Sequence, residues 1–266
     1  MSNDRKQRAE QMRKEREKAE KRQRNVITIA IVAVVIALVG VGGYAIKTTS
    51  DRNAKNTDLV APQNATDDYG IVYDTAAATS GDAAGETPEA SESPAADAEP
   101  VEVELYEDFQ CPACRSFEAA SGQFLQQQVE SGAITIVYRP FSFLDNASLN
   151  EYSSRAMNLA MCVLDSGGVQ DYKTVHNYLY ANQPDEGTAG PENSDLIEAV
   201  SDLGITGIDE CVRTERFVPW IEEAADAART GDREVSGTPT VYVGGEQVQD
   251  VSPAGLQQAI TAAASA

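Results

Sequence analysis

Two cysteines separated by two residues, Cys111 and Cys114, most limit what this chain can be. They follow an alternating, strand-like stretch at residues 101–106 and open a helix-like stretch at residues 115–129. A cysteine at the start of a helix lies beside unpaired backbone N–H groups and the positive end of the helix dipole, which lower the pKa of its thiol. The spacing lets the second thiol close a disulfide with the first. The motif therefore predicts a dithiol that exchanges disulfides.

Charge is distributed very unevenly along the 266 residues, whose formal net charge is -21. Residues 1–25 hold ten Lys/Arg against five Asp/Glu, a charge of +5, which leaves -26 on everything after them. An acidic domain repels phosphate backbones, so nucleic acid is not expected as a partner. The basic arm alternates charges in the manner of a solvated helix and is interpreted as a topology signal, with a specific cytoplasmic contact as the alternative.

An uncharged apolar run follows the arm at residues 26–46. As a helix these 21 residues would span about 32 Å, enough to cross a hydrocarbon core of about 30 Å. Because the basic residues precede the run, the N-terminus is expected in the cytoplasm and the rest of the chain outside. A cleaved signal peptide is the alternative, but the run is longer than a signal core of about 7–15 residues. We therefore predict an uncleaved single-pass anchor in the cell membrane.

Residues 47–100 are rich in Ala, Thr, Asp, Glu, Ser and Pro and poor in large apolar side chains. Such a segment cannot offset the entropy lost on ordering, so it is predicted to be a flexible acidic linker. One interruption, residues 69–73, has the composition of a short edge strand. If that strand forms, residues 74–99 are an acidic loop inside the domain.

Four cysteines in an exported chain meet oxidising conditions, and the even count indicates two disulfides. With Cys111 paired to Cys114, elimination leaves Cys162 with Cys211. This second bridge is interpreted as structural. A second redox pair that relays electrons from the first is the alternative.

The order of predicted elements beyond residue 100 is β-α-β, a helical block, then β-β-α, which indicates an α/β fold. Strand-like residues 134–138 complete the first unit as a parallel pair. The block has five helical patterns, at residues 148–164, 171–180, 195–203, 209–213 and 218–230. Two strands, at 239–243 and 247–251, flank a hairpin signal, and Ser252-Pro253 starts a last helix.

That order resembles the thioredoxin fold with an inserted helical domain, here at about residues 146–230 of a domain spanning 101–266. The motifs that carry the resemblance are YEDFQCPAC at residues 106–114 and GTPT at 237–240. Together they are similar to the DsbA-like thiol:disulfide oxidoreductases, especially membrane-tethered Gram-positive forms. The arm, anchor and linker lie outside the resemblance.

The resemblance implies a role for each site residue. Cys111 would be the attacking thiolate of a redox-active disulfide, and Cys114 the more buried thiol that resolves the mixed disulfide with a client. Pro239 would be a cis-proline opposite the cysteines. Thr238 would then offer main-chain hydrogen bonds to an extended client peptide.

One departure from the family pattern concerns the buried acid six residues before the first cysteine, because that position holds Leu105. Glu107 shares its strand face and could substitute, although Glu104, Glu107 and Asp108 are interpreted rather as solvated acids. The single histidine, His176, is interpreted as a packing or surface residue. The alternative, a soft-metal site with two of the cysteines, has no spacing in its favour.

The resulting functional hypothesis is a membrane-tethered, extracytoplasmic oxidase that donates the Cys111–Cys114 disulfide to reduced exported proteins. No cofactor or metal is expected. The family suggests reoxidation by a membrane quinone-linked protein of the DsbB or VKOR type. The alternatives are a disulfide reductase or isomerase, and a thioredoxin-fold metallochaperone that holds copper(I) between its thiolates.

Overall fold

The computed structural model describes residues 58–79 and 99–266. The predicted arm at 1–25, the predicted anchor at 26–46 and the remaining parts of the predicted linker lie outside these ranges. Over the two ranges themselves, no helix is both long enough and apolar enough to cross a bilayer.

A five-stranded sheet organises the domain, with strand order β1-β3-β2-β4-β5. The central strand β2 runs parallel to β3 and antiparallel to β4, and the remaining neighbours are antiparallel. The strands are β1 (Ile71–Tyr73), β2 (Val101–Glu107), β3 (Ile134–Pro140), β4 (Thr240–Val243) and β5 (Glu246–Val248). Since β2 leads directly to Cys111, the site starts from the middle of the sheet.

Helices surround the sheet and form the insertion between β3 and β4. In the described ranges they are α1 (Thr75–Thr79), α2 (Pro112–Phe117), α3 (Gln123–Glu130), α4 (Tyr152–Ala181), α5 (Asn193–Asp202), α6 (Asp209–Arg213), α7 (Val218–Thr230) and α8 (Pro253–Ala263). A π-helical turn, Glu118–Gly122, joins α2 to α3. The predicted order of β-α-β, helical block and β-β-α is therefore observed.

The two helices predicted at 148–164 and 171–180 differ most from the structure, because they form one kinked element, α4. Its start shifts to Tyr152, whose backbone N–H donates to the Ser148 hydroxyl at 2.9 Å. The kink lies at Gly168, with φ 80° and ψ -171°. Glycine adopts this backbone conformation without the steric cost of a Cβ atom. The two helical segments are therefore continuous through a kink, where a loop was predicted.

The hairpin between β4 and β5 turns at Gly244 and Gly245, with φ values of 56° and 86°. A two-residue turn with positive φ at both positions suits glycine and matches the strand twist. Strand β5 ends at Val248, earlier than predicted. The reason is a local turn in which the Asp250 carboxylate accepts from the Ser252 N–H at 3.1 Å.

Residues 58–79 belong to the folded domain: the possible edge strand at 69–73 is present as β1, whereas the residues beside it are ordered and not the flexible linker predicted over 47–100. The side chain of Ile71 is 0% exposed, and β1 pairs with β3 at the edge of the sheet. The Tyr69 and Trp220 rings lie 5.5 Å apart, and the Arg139 guanidinium contacts the Asp68 carboxylate at 2.9 Å. Cross-strand pairing and burial outweigh the polar composition of this stretch.

A disulfide joins Cys162 of α4 to Cys211 of α6 across 49 residues of sequence. Cys162 lies in the core, and Cys211 packs against it. The bridge therefore holds two helices of the insertion together.

Substitution of Ile71 with alanine tests whether this segment is part of the cooperative domain. We expect Ile71→Ala to lower the free energy of unfolding by about 2–4 kcal/mol, because it leaves a cavity beneath β1. Urea unfolding of the oxidised protein measures the change. The matched control is Leu59→Ala in the same segment, since Leu59 is 58% exposed. Equal, negligible effects of both variants would contradict the assignment.

Candidate active site

The Cys111 sulfur lies at the start of α2, where the chain turns from β2 into the helix. Cys111 is the N-cap residue and Pro112 occupies the first helical position, where its missing N–H costs no hydrogen bond. Across from the helix, the sulfur lies 3.4 Å from the Thr238 carbonyl oxygen. The Thr238–Pro239 peptide bond is cis. The local fold thus brings together residues 127 positions apart in sequence.

The surroundings of Cys111 lower the pKa of its thiol from its ordinary range to about 6. The largest cause is the Cys114 thiol, which donates a hydrogen bond to the Cys111 sulfur. The Thr238 side chain and the backbone N–H groups of Ala113 and Cys114 act in the same direction, against the opposing effect of burial. A thiol with that pKa is about 90% ionised at pH 7.

Cys114 has the opposite environment. Its side chain is completely buried, and burial raises the pKa of its thiol, helped by the hydrogen bond to Cys111 and by the charge of Glu107. The two sulfurs therefore differ strongly in acidity, so that one is a ready nucleophile and the other retains its proton.

The buried Asp108 carboxylate holds the turn that carries Cys111. It accepts hydrogen bonds from the backbone N–H groups of Gln110, Phe143 and Leu144 at 2.7, 2.6 and 2.9 Å. The Ser153 hydroxyl is a fourth donor, at 2.8 Å. These donors compensate for burying a carboxyl that is 0% exposed. Asp108 was predicted to be solvated, and that prediction is wrong.

Two glutamines link the turn to distant parts of the chain. The Gln183 side-chain amide donates to the Cys111 carbonyl at 3.0 Å. The Gln110 side chain donates to the carbonyls of Asp185 and Thr188 at 3.3 and 3.1 Å. Because these partners are more than 70 residues apart, no local pattern in the sequence identifies them.

Glu104, also predicted to be solvated, is buried on β2 between two arginines. Its carboxylate contacts Arg139 at 3.1 Å and Arg233 at 2.6 Å. Arg233 also donates to the Gly245 carbonyl and lies over the Tyr242 ring. Glu104 therefore ties the sheet to the segment before β4, and it is not part of the thiol site.

Glu107, the third acid, lies in the core together with His176. The His176 Nε2 is 3.5 Å from the Glu107 carboxylate, and Glu118 is close to both. Burial raises the pKa of Glu107 and lowers that of His176 far below its usual range, so the imidazole is neutral. The solvated interpretation of Glu107 is wrong, and of the two interpretations of His176 the structure shows a buried residue rather than a surface one. Leu105 is a buried core residue of β2.

A cavity of about 620 Å³ borders the first turn of α2 and the cis-proline loop. Every side chain that lines it is uncharged, including those of Phe117, Pro239, Gln247 and Val248. A neutral groove beside a nucleophilic sulfur is suited to an extended peptide held by backbone hydrogen bonds and apolar contacts.

Comparison with known proteins agrees with this architecture. A family model described as Thioredoxin matches residues 95–262. The reduced disulfide bond oxidoreductase DsbG of Mycobacterium tuberculosis is 32% identical, with a TM-score of 0.53 over 62% of this chain and 83% of that one. Reduced DsbA of the same organism is 30% identical, with a TM-score of 0.53 over 67% of this chain and 95% of that one.

A more distant structure has the same fold. MdbA, a thiol-disulfide oxidoreductase from Corynebacterium diphtheriae, is 19% identical, with a TM-score of 0.56 over 77% of this chain and 96% of that one. No curated protein matches the chain. The matched residues contain the whole Cys-x-x-Cys turn and the cis-proline loop. The chain belongs to the thioredoxin family and is a disulfide oxidoreductase of the DsbA type.

Proposed function

We propose that this protein is an extracytoplasmic oxidase that introduces disulfides into exported proteins, with Cys111 as the sulfur that exchanges with the client and Cys114 as the resolving thiol. The observation that carries the proposal is the contrast between the two sulfurs. The pKa of Cys111 is lowered to about 6, whereas Cys114 is buried and its pKa is raised.

The exchange balances in two steps. A client thiolate attacks the Cys111 sulfur of the oxidised site. This attack forms a mixed disulfide between the client and Cys111 and releases the Cys114 sulfur, which takes up a proton. A second client thiolate then attacks the client sulfur of the mixed disulfide and releases Cys111 as a thiolate. The client loses two electrons and gains a disulfide, while the site gains two electrons and becomes a dithiol. If the mixed disulfide persists, the Cys114 thiolate can reverse the first step. It attacks the Cys111 sulfur, restores the Cys111–Cys114 disulfide and releases the client as a thiol.

The low pKa of Cys111 favours the oxidase direction over the reductase or isomerase direction. Each unit by which that pKa falls stabilises the thiolate of the reduced site by about 1.4 kcal/mol. Stabilising the reduced form makes the disulfide a stronger oxidant, and an acidic thiol is also the better leaving group. No arrangement among the described residues favours copper(I) binding, since His176 contacts carboxylates rather than the thiols.

Clients are proposed to bind in extended form along the cis-proline loop. The Thr238 backbone would pair with the client strand, and the uncharged cavity beside Pro239 would receive client side chains. Because the cavity has no charged lining, this contact is expected to depend little on salt.

Residues 26–46 are proposed to anchor the protein in the membrane with the thiol site outside, supported by their length, lack of charge and preceding basic arm. A quinone-linked membrane protein of the DsbB or VKOR type would accept the two electrons and restore the disulfide. Anchoring would keep the site close to that partner.

Refolding of a reduced, disulfide-dependent client by the oxidised protein tests the proposed reaction. We expect the wild type to restore client activity and Cys111→Ser to lose at least about 100-fold in rate, because without the Cys111 sulfur the site has no disulfide for a client thiolate to attack. The matched control is the double variant Cys162→Ala/Cys211→Ala, which should retain the rate at temperatures where it is folded.

Two results would contradict the proposal. If the oxidised protein left the client reduced while the reduced protein opened client disulfides, the direction would be wrong. If the double variant were folded but as slow as Cys111→Ser, the second pair would be an electron relay rather than a structural bridge.

Thiol trapping in growing cells tests location and reoxidation together. The full chain should sediment with membranes and carry an oxidised Cys111–Cys114 pair. A variant whose residues 1–46 are replaced by a cleavable signal peptide should be released and should accumulate the reduced pair. A released variant that stayed fully oxidised would rule out dependence on a membrane reoxidant.

A further inference from the structure

Three side chains of metal-ligand type meet in the core behind the thiol site. They are Glu107 at the end of β2, Glu118 in the π-helical turn and His176 on α4. One potential ligand atom from each lies within 4.8 Å of the other two. Over residues 58–79 and 99–266 this is the one such cluster, and three separate elements contribute to it.

Polar atoms of the cluster lack partners although they are buried. Glu107 is 4% exposed and His176 is 1% exposed. Within the described chain, the His176 Nε2 has no hydrogen-bond partner, and the Glu107 carboxyl has none outside the cluster, where it lies against Glu118. Buried acids are ordinarily hydrogen-bonded, paired with a cation or bound to a metal, so these atoms call for a ligand.

The nearest lysine does not fill this role. The Lys173 ammonium lies 5.2 Å over the Tyr138 ring, and it forms no ion pair with Glu107 or Glu118 among the described contacts. Its charge weakens attraction for a cation, but two carboxylates outnumber it. A divalent ion would bring the charge of the two carboxylates to zero.

We propose that Glu107, Glu118 and His176 form a binding site for a divalent transition-metal ion, with zinc as the ion that best fits the donors. Zinc takes imidazole nitrogen and carboxylate oxygen in a tetrahedral arrangement at about 2.0–2.2 Å. Two ligands of such a tetrahedron lie about 3.4 Å apart, and the His176 Nε2 and Glu107 Oε2 are 3.5 Å apart. Water would supply the fourth ligand.

The histidine is oriented for this role. Its Nδ1 lies 3.5 Å from the Asn177 side-chain oxygen, which favours the tautomer with the proton on Nδ1 and leaves the Nε2 lone pair toward Glu107. The rings of Tyr138 and Tyr180 pack at 4.7 and 4.9 Å from the imidazole and restrict its rotation.

The site also has access from the surface. A cavity of about 490 Å³ opens between the π-helical turn and α4, and Glu118, Gln126 and Tyr180 are among its lining residues. A bound ion would link β2, the π-helical turn and α4 immediately behind Cys114. It would therefore stabilise the folded domain, and tighter binding would stabilise it more.

Zinc binding by the oxidised full chain in detergent tests the site. The protein carries no polyhistidine tag, is stripped with chelator and keeps Cys111 and Cys114 as a disulfide, so that the thiols cannot capture zinc. We expect one zinc per chain by elemental analysis and a higher midpoint of thermal unfolding with zinc. Glu118→Gln and His176→Asn should each weaken binding at least about 30-fold, because each removes one of three ligands. Glu130→Gln, an exposed acid of α3, is the matched control and should bind as the wild type does.

If a buried variant fails to fold, the visible spectrum of cobalt(II) bound to the wild type still tests the site, because it reports the ligand atoms without any substitution. We expect visible bands of a nitrogen- and oxygen-ligated ion and no thiolate charge-transfer band. Less than stoichiometric zinc in the wild type, or equal binding by folded Glu118→Gln and His176→Asn, would overturn the proposal. Neither result would bear on the refolding activity of Cys111, since the disulfide form is used throughout.

Discussion

The reactivity of the site depends on stabilising a negative charge on one sulfur atom, that of Cys111. The Cys114 thiol, the Thr238 side chain and two backbone N–H groups at the start of α2 all favour the Cys111 thiolate. None of these donors is unusual alone. Their convergence on one atom requires that β2 end at a fixed point, that α2 begin there and that the cis-proline loop approach from the other side.

The buried polar residues around the turn provide that geometry. Asp108 accepts two hydrogen bonds from the loop after β3, one from Ser153 of α4 and one from within the turn, and Gln183, just after α4, donates to the Cys111 carbonyl. The helical insertion is thus more than a cover for the sheet, since its first residues and the loop after α4 both contact the turn. The same arrangement buries Cys114, so the acidity of one sulfur and the inertness of the other have a common origin.

Much of this site was accessible from the sequence because its signals are local. The Cys-x-x-Cys spacing, the strand before it and the Gly244-Gly245 turn each specify a backbone conformation within a few residues. The Cys162–Cys211 pair followed by elimination, because the chain has four cysteines and two of them form the Cys-x-x-Cys motif. The three acids of β2 and its turn were misinterpreted, because a charged side chain is buried only when distant partners compensate. Arg139 and Arg233 are those partners for Glu104, and Ser153 is one for Asp108; none of the three lies near these acids in sequence. Within residues 58–79 the short edge strand predicted at 69–73 is present as β1, but its flanking residues were misjudged as flexible linker. The reason is similar, because the pairing partner of Ile71 in β3 lies more than 60 residues away.

Titration of the thiolate absorbance of the reduced protein, with Cys111→Ser as baseline, tests the central claim most directly. A lowered pKa keeps the sulfur ionised from about pH 7 upward and lets it protonate as the pH falls through about 6. We predict one ionisation with a midpoint near pH 6, absent in the variant, and no second ionisation below about pH 10. A midpoint near that of a free thiol, about 8.5, would contradict the account.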